Sequence, residues 1–177
     1  MKNWSYTIKE GKHKGETLWS GRYCAVAAFV FCELKGEWCV LANQRGKGTP
    51  DYQGYWNCVC GYLEADENAE TGCAREVYEE TGVKIKPSRF TLVSVQTEPS
   101  QCEHGNVTLR YFAILKEGLD NVSVSKSAVL AGNGEKDEVE TIGWIPLKDV
   151  DNYDWAFNHK QILKEIFKSR VQTYADL

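Results

Sequence analysis

Long apolar segments, a large excess of charge of either sign and a high proline content are all absent from this 177-residue sequence. The longest apolar run, Cys24 to Cys32, covers about half of the roughly 20 residues that a transmembrane helix requires. The formal net charge is only -4, so the chain offers no broad basic face to nucleic acid or to an anionic membrane. Four prolines and 15 glycines are too few for a fibrous or low-complexity protein. We therefore predict a soluble protein with neither a membrane nor a nucleic acid as partner.

The seven cysteines include no CxxC pair, and the three histidines are scattered along the chain. A structural zinc site needs closely spaced Cys and His ligands, so this pattern argues against one. Most of the cysteines fall within apolar runs, where a free thiol behaves as a small hydrophobic side chain. The first residues, Met1 to Tyr6, contain no apolar stretch of the kind found in secretory signals. These features predict a reduced, cytoplasmic protein.

The composition, 42% hydrophobic and 26% charged, is typical of one globular domain, which we expect to span residues 1–177. Residues 1–20 are predicted to form an N-terminal hairpin extension around a turn rich in Gly and Lys. Residues 116–135 have no clear period and are predicted to be a loop. Beyond the hairpin, strands are predicted at 23–31, 37–43, 55–59, 83–85, 90–96, 106–115 and 140–146, and helices at 68–81 and 153–171. This order predicts an α+β fold with helices packed on a mixed β-sheet.

The most informative stretch runs from Gly61 to Val83 and reads GYLEADENAETGCAREVYEETGV. On a helix that advances by about 100° per residue, Glu76, Glu79 and Glu80 project from one face. Like charges three and four residues apart on a helix repel by about 0.2–0.5 kcal/mol per pair. A divalent cation bound between these carboxylates would offset the repulsion, so the pattern indicates a cation site. The alternative is a surface helix on which the three glutamates face only water.

The same stretch resembles the Nudix box, because its fixed positions all match. The first fixed position is Gly61, and Glu67 follows after five intervening residues. Arg75-Glu76-Val77 follows after seven more, and Glu79-Glu80 and then Gly82-Val83 follow after one residue each. A chance match at so many positions is negligible, and the strand, loop and helix around the box are those of the family. One departure is Val59-Cys60, where many members have Pro-Gly. The resemblance implies a Nudix-type α/β/α sandwich whose loop–helix–loop binds Mg2+ or Mn2+.

Carried over by position, the resemblance also implies a role for each matching residue. The metal ligands would be the carbonyl oxygen of Gly61 and the carboxylates of Glu76, Glu79 and Glu80. One of these glutamates is the candidate general base. Arg75 would orient them, Glu67 would brace Arg75 or a second metal, and Gly82 would be structural. Outside the box, Glu138 is our candidate for an extra base or ligand, with a solvated loop as the alternative.

The implied reaction is hydrolysis of a diphosphate linkage, in which cations offset the phosphate charge and activate a water, and a carboxylate takes its proton. Pro99, sixteen positions beyond Val83, resembles the ADP-ribose pyrophosphatase-like branch, although a simple turn would also explain it. The segment Trp155 to His159 resembles a helix start of some ADP-ribose and sugar-nucleotide members. Core packing of its aromatic residues is the alternative.

For substrate binding, Arg45 is a candidate contact to phosphate, and Tyr52 and Trp56 are candidates to stack a base. Together with Pro99 they favour a nucleoside diphosphate linked to another moiety, such as ADP-ribose or a nucleotide sugar. Two alternatives stay open: a nucleoside triphosphate pyrophosphohydrolase that cleans the nucleotide pool, and a catalytically silent nucleotide-sensing domain. The intact acidic set argues against the silent domain. A homodimer is also left open.

Overall fold

A computed structural model describes residues 4–101, 105–116 and 137–172, without the side chains of Trp4, Trp19 and Ser20. The strands within these ranges are β1 (Trp4–Thr7), β2 (Thr17–Ser20), β3 (Cys24–Leu34), β4 (Glu37–Arg45), β5 (Trp56–Asn57), β6 (Val59–Tyr62), β7 (Thr91–Gln96), β8 (Val107–Lys116) and β9 (Val139–Pro146). The helices are α1 (Ala69–Thr81) and α2 (His159–Ile166), and α2 continues as a π-helical turn over Phe167–Val171. No helix in the described ranges is long and apolar enough to cross a membrane.

Seven of the strands form a mixed sheet built around β3. One side of β3 pairs in parallel with β8, and the other side pairs antiparallel with β4 and β6. The sheet is extended by β7, which pairs with β8, and by β5 and β9, which both pair with β4. β1 and β2 form a separate two-stranded antiparallel sheet. The mixed sheet expected from the sequence is therefore confirmed.

Side chains at alternate positions of β3 pack into two apolar layers, one on each face of the sheet. Val26 faces the layer that contains Val77 of α1. Phe29 faces the other layer, which contains Leu163 of α2. Burial on both faces explains why β3 is a continuous apolar run rather than an alternating one. A helix thus covers each face of the sheet, which confirms the predicted α/β/α sandwich.

The capping residues of α1, the helix that carries the box glutamates, hold both of its ends. Asn68 Oδ1 accepts a hydrogen bond from the backbone N–H of Thr71 at 2.9 Å, which is a typical N-cap. Gly82 has a left-handed backbone, with φ at 76°, and its N–H donates to the carbonyl of Tyr78 at 2.8 Å. These caps fix the helix ends, while the buried Val77 fixes which face meets the core.

Three of the predicted elements differ from the structure. Residues 83–85 form no strand: Val83 and Ile85 alternate because both are buried in the α1 layer, but they join no ladder. The predicted strand at 55–59 is divided into β5 and β6, and β6 continues through the box glycine. The last helix begins at His159 rather than at Tyr153, because a 3-10 helix occupies Leu147–Asn152 and a β-bridge to Trp56 follows it. Residues 117–135 of the predicted loop lie outside the described residues.

Candidate active site

A cavity of about 510 Å³ lies against the sheet and is lined by residues from β3, β6, β8, α1 and the start of α2. Two small residues of β3, Ala25 and Ala27, belong to its lining. Their side chains leave space that the larger residues further along β3 would fill. Acidic side chains from α1 and basic side chains from β4 and β8 border this space, so the cavity can contact a ligand with groups of both charges.

Arg75 is the centre of a charge network within the box. Its Nε and Nη2 donate to the two oxygens of Glu67 at 3.1 and 2.7 Å. Its Nη1 donates to Glu76 Oε1 and to Glu79 Oε2, both at 2.9 Å. The hydrogen bonds from Arg75 hold the pKa of Glu67 below its usual range. The guanidinium thus fixes three carboxylates of the box relative to one another.

Glu80 is held by a different partner. Its carboxylate accepts a hydrogen bond from Nδ2 of Asn43 on β4. Burial raises the pKa of Glu80 well above its usual range, and the neighbouring carboxylates of Glu76 and Glu138 raise it further. Burial also raises the pKa of Glu76. Glu76, Glu80 and Glu138 line the cavity, whereas Glu79 does not, so the helix turns only part of its acidic face toward the cavity.

The donor chemistry at this point fits a divalent cation. Gly61 lies directly against Glu76: a Cβ at this position would be 2.6 Å from Oε2 of the carboxylate and closer still to Oε1. Hard cations bind carboxylate and carbonyl oxygens, which are the donor types that Gly61, Glu76, Glu79 and Glu80 carry. Within the described ranges, no group of three or more His, Cys, Asp or Glu residues has the geometry to hold a metal ion. The carboxylates of Glu76, Glu79 and Glu80 each accept a hydrogen bond within the protein.

Two of the residues predicted outside the box lie in the cavity wall. Glu138 is brought there because the neighbouring Val139 pairs with Arg45 between β9 and β4. Arg45 itself lines the cavity, and its Nη2 donates to Asp51 Oδ1 at 2.5 Å. The guanidinium carbon lies 4.8 Å from the centroid of the Phe157 ring, a cation–π contact. Arg45 is thus fixed on two sides before any ligand binds.

The other three predicted substrate-binding residues do not line the cavity. Tyr52 packs edge-to-face on Phe157, with ring centroids 5.0 Å apart, and so supports the wall from behind. Trp56 packs on Tyr153 at 5.5 Å and contacts the α2 layer of the core. Pro99 opens an exposed 3-10 turn, Pro99–Gln101, as the simple-turn alternative expected. These positions favour supporting roles over direct contact with a ligand.

Several polar residues of the cavity wall were not identified from the sequence. They are Asn43, Asn57, Asn106, Thr108 and Arg110. Asn57 is 1% exposed and Asn106 is 9% exposed, and Oδ1 of each has no hydrogen-bond partner among the described residues. Buried polar atoms normally have partners, so these acceptors suit the donor groups of a ligand. Polar residues at alternate positions 106, 108 and 110 of an otherwise apolar strand were the signal available in the sequence.

The chain bends sharply just before α2. Phe157 and Asn158 both have left-handed backbones, with φ at 56° and 60°, an arrangement that costs on the order of 1 kcal/mol for each non-glycine residue. On the far side of this bend His159 lines the cavity, as Phe157 does. Trp155, before the bend, is a core residue whose Nε1–H donates to the Val150 carbonyl at 2.8 Å. The core alternative therefore holds for Trp155, whereas Phe157 belongs to the cavity.

Comparison with known sequences agrees with this geometry. A family model of the NUDIX domain matches residues 22–166. A MutT-like protein of Streptomyces ambofaciens is 37% identical over 76 residues, which cover 43% of this chain and 46% of that protein. The matched region thus covers less than half the length of this curated relative.

Comparison with solved structures gives the same fold. The NUDIX domain of Shewanella oneidensis NrtR, complexed with ADP ribose, has a TM-score of 0.69 at 22% identity, covering 84% of this chain and 88% of that chain. A bifunctional NMN adenylyltransferase/ADP ribose pyrophosphatase from Francisella tularensis, complexed with AMP and a Mn ion, has a TM-score of 0.59 at 18% identity. That match covers 84% of this chain and 42% of the other. At these identities the likeness establishes the fold alone.

Proposed function

The chain belongs to the Nudix family, and we propose that it is a divalent-metal-dependent hydrolase of a diphosphate linkage. Its substrate would be a nucleoside diphosphate joined to another moiety, of the ADP-ribose or nucleotide-sugar type. The observation that carries this proposal is that Glu76 and Glu80 line a cavity of about 510 Å³, with Glu76 and Glu79 held by hydrogen bonds from Arg75. A binding module has no need of this complete acidic set.

Mg2+ or Mn2+ would be held by the carboxylates of Glu76, Glu79 and Glu80 and by the carbonyl oxygen of Gly61. When bound, such a cation stabilises charge on phosphate oxygens and lowers the pKa of a bound water. The Mn ion in the Francisella tularensis structure supports this choice of metal. Arg75 would keep Glu76 and Glu79 oriented through its hydrogen bonds of 2.9 Å.

Glu138 is the residue that we propose as an additional base or ligand. It borders the same cavity as Glu80 and acts electrostatically on that carboxylate. Its backbone is fixed to the loop after β4, because the N–H of Gly46 donates to the Glu138 carbonyl at 2.6 Å. A group anchored in this way can accept a proton without a loop rearrangement.

The cavity wall also suits the remainder of the proposed substrate. Arg45 and Arg110 offer guanidinium groups, which bind phosphate oxygens well. The unpartnered acceptors of Asn57 and Asn106 suit hydroxyl or amino donors, which a ribose and a nucleobase both carry. Of the ligands in the two solved structures, ADP ribose is of the proposed substrate type, and AMP is a nucleoside monophosphate of the kind that its hydrolysis would release.

Two alternatives share the same fold. The MutT-like relative favours a nucleoside triphosphate pyrophosphohydrolase as the second candidate. The complex of the NrtR NUDIX domain with ADP ribose is equally consistent with a domain that binds the nucleotide without cleaving it. The two candidate enzymes differ in the products that they would release, and the binding domain would release none.

A substrate panel with Mg2+ and with Mn2+ tests the proposal. We expect ADP-ribose or a nucleotide sugar to yield a nucleoside monophosphate and a sugar phosphate, with a kcat/KM at least about tenfold above that of any nucleoside triphosphate. EDTA should abolish turnover, and added Mg2+ or Mn2+ should restore it. Full activity in metal-free buffer would contradict the metal requirement. Release of pyrophosphate from triphosphates would favour the second candidate, and binding without turnover would favour the silent domain.

A further inference from the structure

We propose that His159 positions the substrate by donating a hydrogen bond from its Nε2–H to a phosphoryl oxygen. His159 is the first residue of α2, and its ring lines the cavity. This inference rests on the proposed function, because it takes the diphosphate as the ligand. It adds a positioning residue that lies outside the box and outside the acidic set.

The hydrogen bond to the other ring nitrogen fixes the tautomer. The backbone N–H of Cys58 donates to Nδ1 of His159 at 3.1 Å. A ring nitrogen that accepts a hydrogen bond carries no proton, so the proton of the neutral ring is on Nε2. No residue in the described ranges accepts a hydrogen bond from Nε2. The Nε2–H group of His159 is therefore available to donate a hydrogen bond to a ligand.

Packing keeps the ring in one orientation. His159 is only 5% exposed, and its ring lies at 5.4 Å from the ring of Phe29 and at 5.5 Å from that of Phe157. The bend of left-handed residues just before α2 directs both Phe157 and His159 to the cavity. A donor held in this way loses little conformational entropy when a ligand binds.

The electrostatic surroundings favour an anionic acceptor. Burial lowers the pKa of His159 to about 3, and the charges of Arg110 and Arg45 lower it further. The ring is therefore neutral near pH 7, and with Nδ1 occupied it cannot take up a proton from the substrate. Arg45 and Arg110 line the same cavity and place positive charge near the ring. A phosphoryl oxygen would thus meet a neutral donor in a cavity that also carries two cationic side chains.

Two substitutions separate the donor from its structural support. In His159→Asn, the side-chain oxygen can still accept from Cys58 N–H, but no donor remains at the Nε2 position. In His159→Gln, the amide nitrogen can occupy the Nε2 position, but the acceptor for Cys58 is lost. An exposed histidine, His13, supplies the matched control His13→Asn.

We expect His159→Asn to raise the KM for ADP-ribose about tenfold, with kcat changed less than about threefold and Tm close to that of the wild type. His159→Gln should keep a KM nearer to that of the wild type but have a lower Tm. The pH profile of kcat should have the same shape in the wild type and in His159→Asn. An unchanged KM in His159→Asn, or an acidic limb of the profile that disappears with the histidine, would overturn the proposal. An equal fall in Tm together with an equal rise in KM in both variants would also overturn it, since this would show a purely structural role.

Failure of the proposed function is recognised separately. Long-range 1H–15N NMR of the His159 ring, with ADP-ribose and then inorganic pyrophosphate as the added ligand in the presence of Mg2+, reports on Nε2 whether or not turnover occurs. A shift of the Nε2–H signal without turnover would contradict the proposed hydrolase activity but support His159 as a hydrogen-bond donor to the ligand. No shift with either compound would overturn the proposal that His159 Nε2–H donates to a phosphoryl oxygen.

Discussion

Replacing Gly61 with alanine tests whether Glu76 must lie against β6 for catalysis. The added Cβ would be 2.6 Å from Oε2 of Glu76 and closer to Oε1, whereas nonbonded heavy atoms settle at about 3.5–4.0 Å. Gly61 is not at positive φ, and its strand is fixed by pairing with Val26, so the backbone accepts alanine without moving. The carboxylate must therefore retreat by about 1 Å.

The substitution is expected to lower both activity and stability, and the two effects can be measured separately. A displacement of about 1 Å at a reacting centre costs on the order of 10²-fold in rate, so we expect kcat for ADP-ribose to fall by about that factor. Stability loses at most the Arg75–Glu76 hydrogen bond of 2.9 Å, an interaction of about 1.5–3 kcal/mol. Steady-state kinetics and urea denaturation of the same preparation measure the two quantities separately.

Gly143→Ala is the matched control for this substitution. Its new Cβ would be 3.8 Å from the nearest atom, on Trp56, which is an ordinary contact outside the cavity lining. We expect wild-type kcat in this variant. Wild-type kcat in Gly61→Ala would refute the argument that activity depends on the close approach of Glu76 to Gly61. An equal loss of kcat in Gly143→Ala would refute it as well.

Two further predictions concern the box carboxylates. Glu79→Gln and Glu80→Gln should each lower kcat on the order of 10²-fold with an unchanged circular dichroism spectrum, since neither belongs to the apolar core; near wild-type rates in both would support the solvated-helix alternative. Glu67→Gln should lower the free energy of unfolding at pH 7 by about 2 kcal/mol, because the neutral amide no longer pairs with Arg75. Arg75 lowers the pKa of folded Glu67, so this contribution is present above the unfolded value of about 4.3 and is lost as the pH falls through the folded value. Urea titrations from pH 7 to about pH 3 should show the difference shrinking, and a constant difference would contradict the pairing.

Local signals were enough to predict the box helix and the strands at 23–31 and 37–43, which correspond to β3 and β4. The caps of α1 are sequence-local, because Asn68 acts on Thr71 and Gly82 on Tyr78. The turn after β3 joins it to β4 and gives the antiparallel pairing directly. Elements of this kind depend on residues a few positions apart, which a periodic pattern can identify.

The rest of the cavity wall depends on pairing between distant segments. Arg110 is brought to the cavity because β8 pairs in parallel with β3, which sets Ala27 beside it. His159 is brought there by a bend that no periodicity predicts, and its Nδ1 is fixed by Cys58 from a remote segment. A prediction based on local patterns therefore identified the acidic helix more completely than the residues that would contact the substrate.

The charges of the cavity wall bear on how the proposed cation and the proposed anionic substrate would bind together. Five carboxylates and three arginines line the cavity, a formal balance of −2. Arg75 is engaged by the box glutamates and Arg45 by Asp51, so neither can offset a diphosphate in full. Like charges in a partly dehydrated space repel more strongly than in water. If the proposed function is correct, we expect a diphosphate to bind in this cavity favourably only with a divalent cation between it and the glutamates, which would link substrate binding, as well as the chemical step, to the metal.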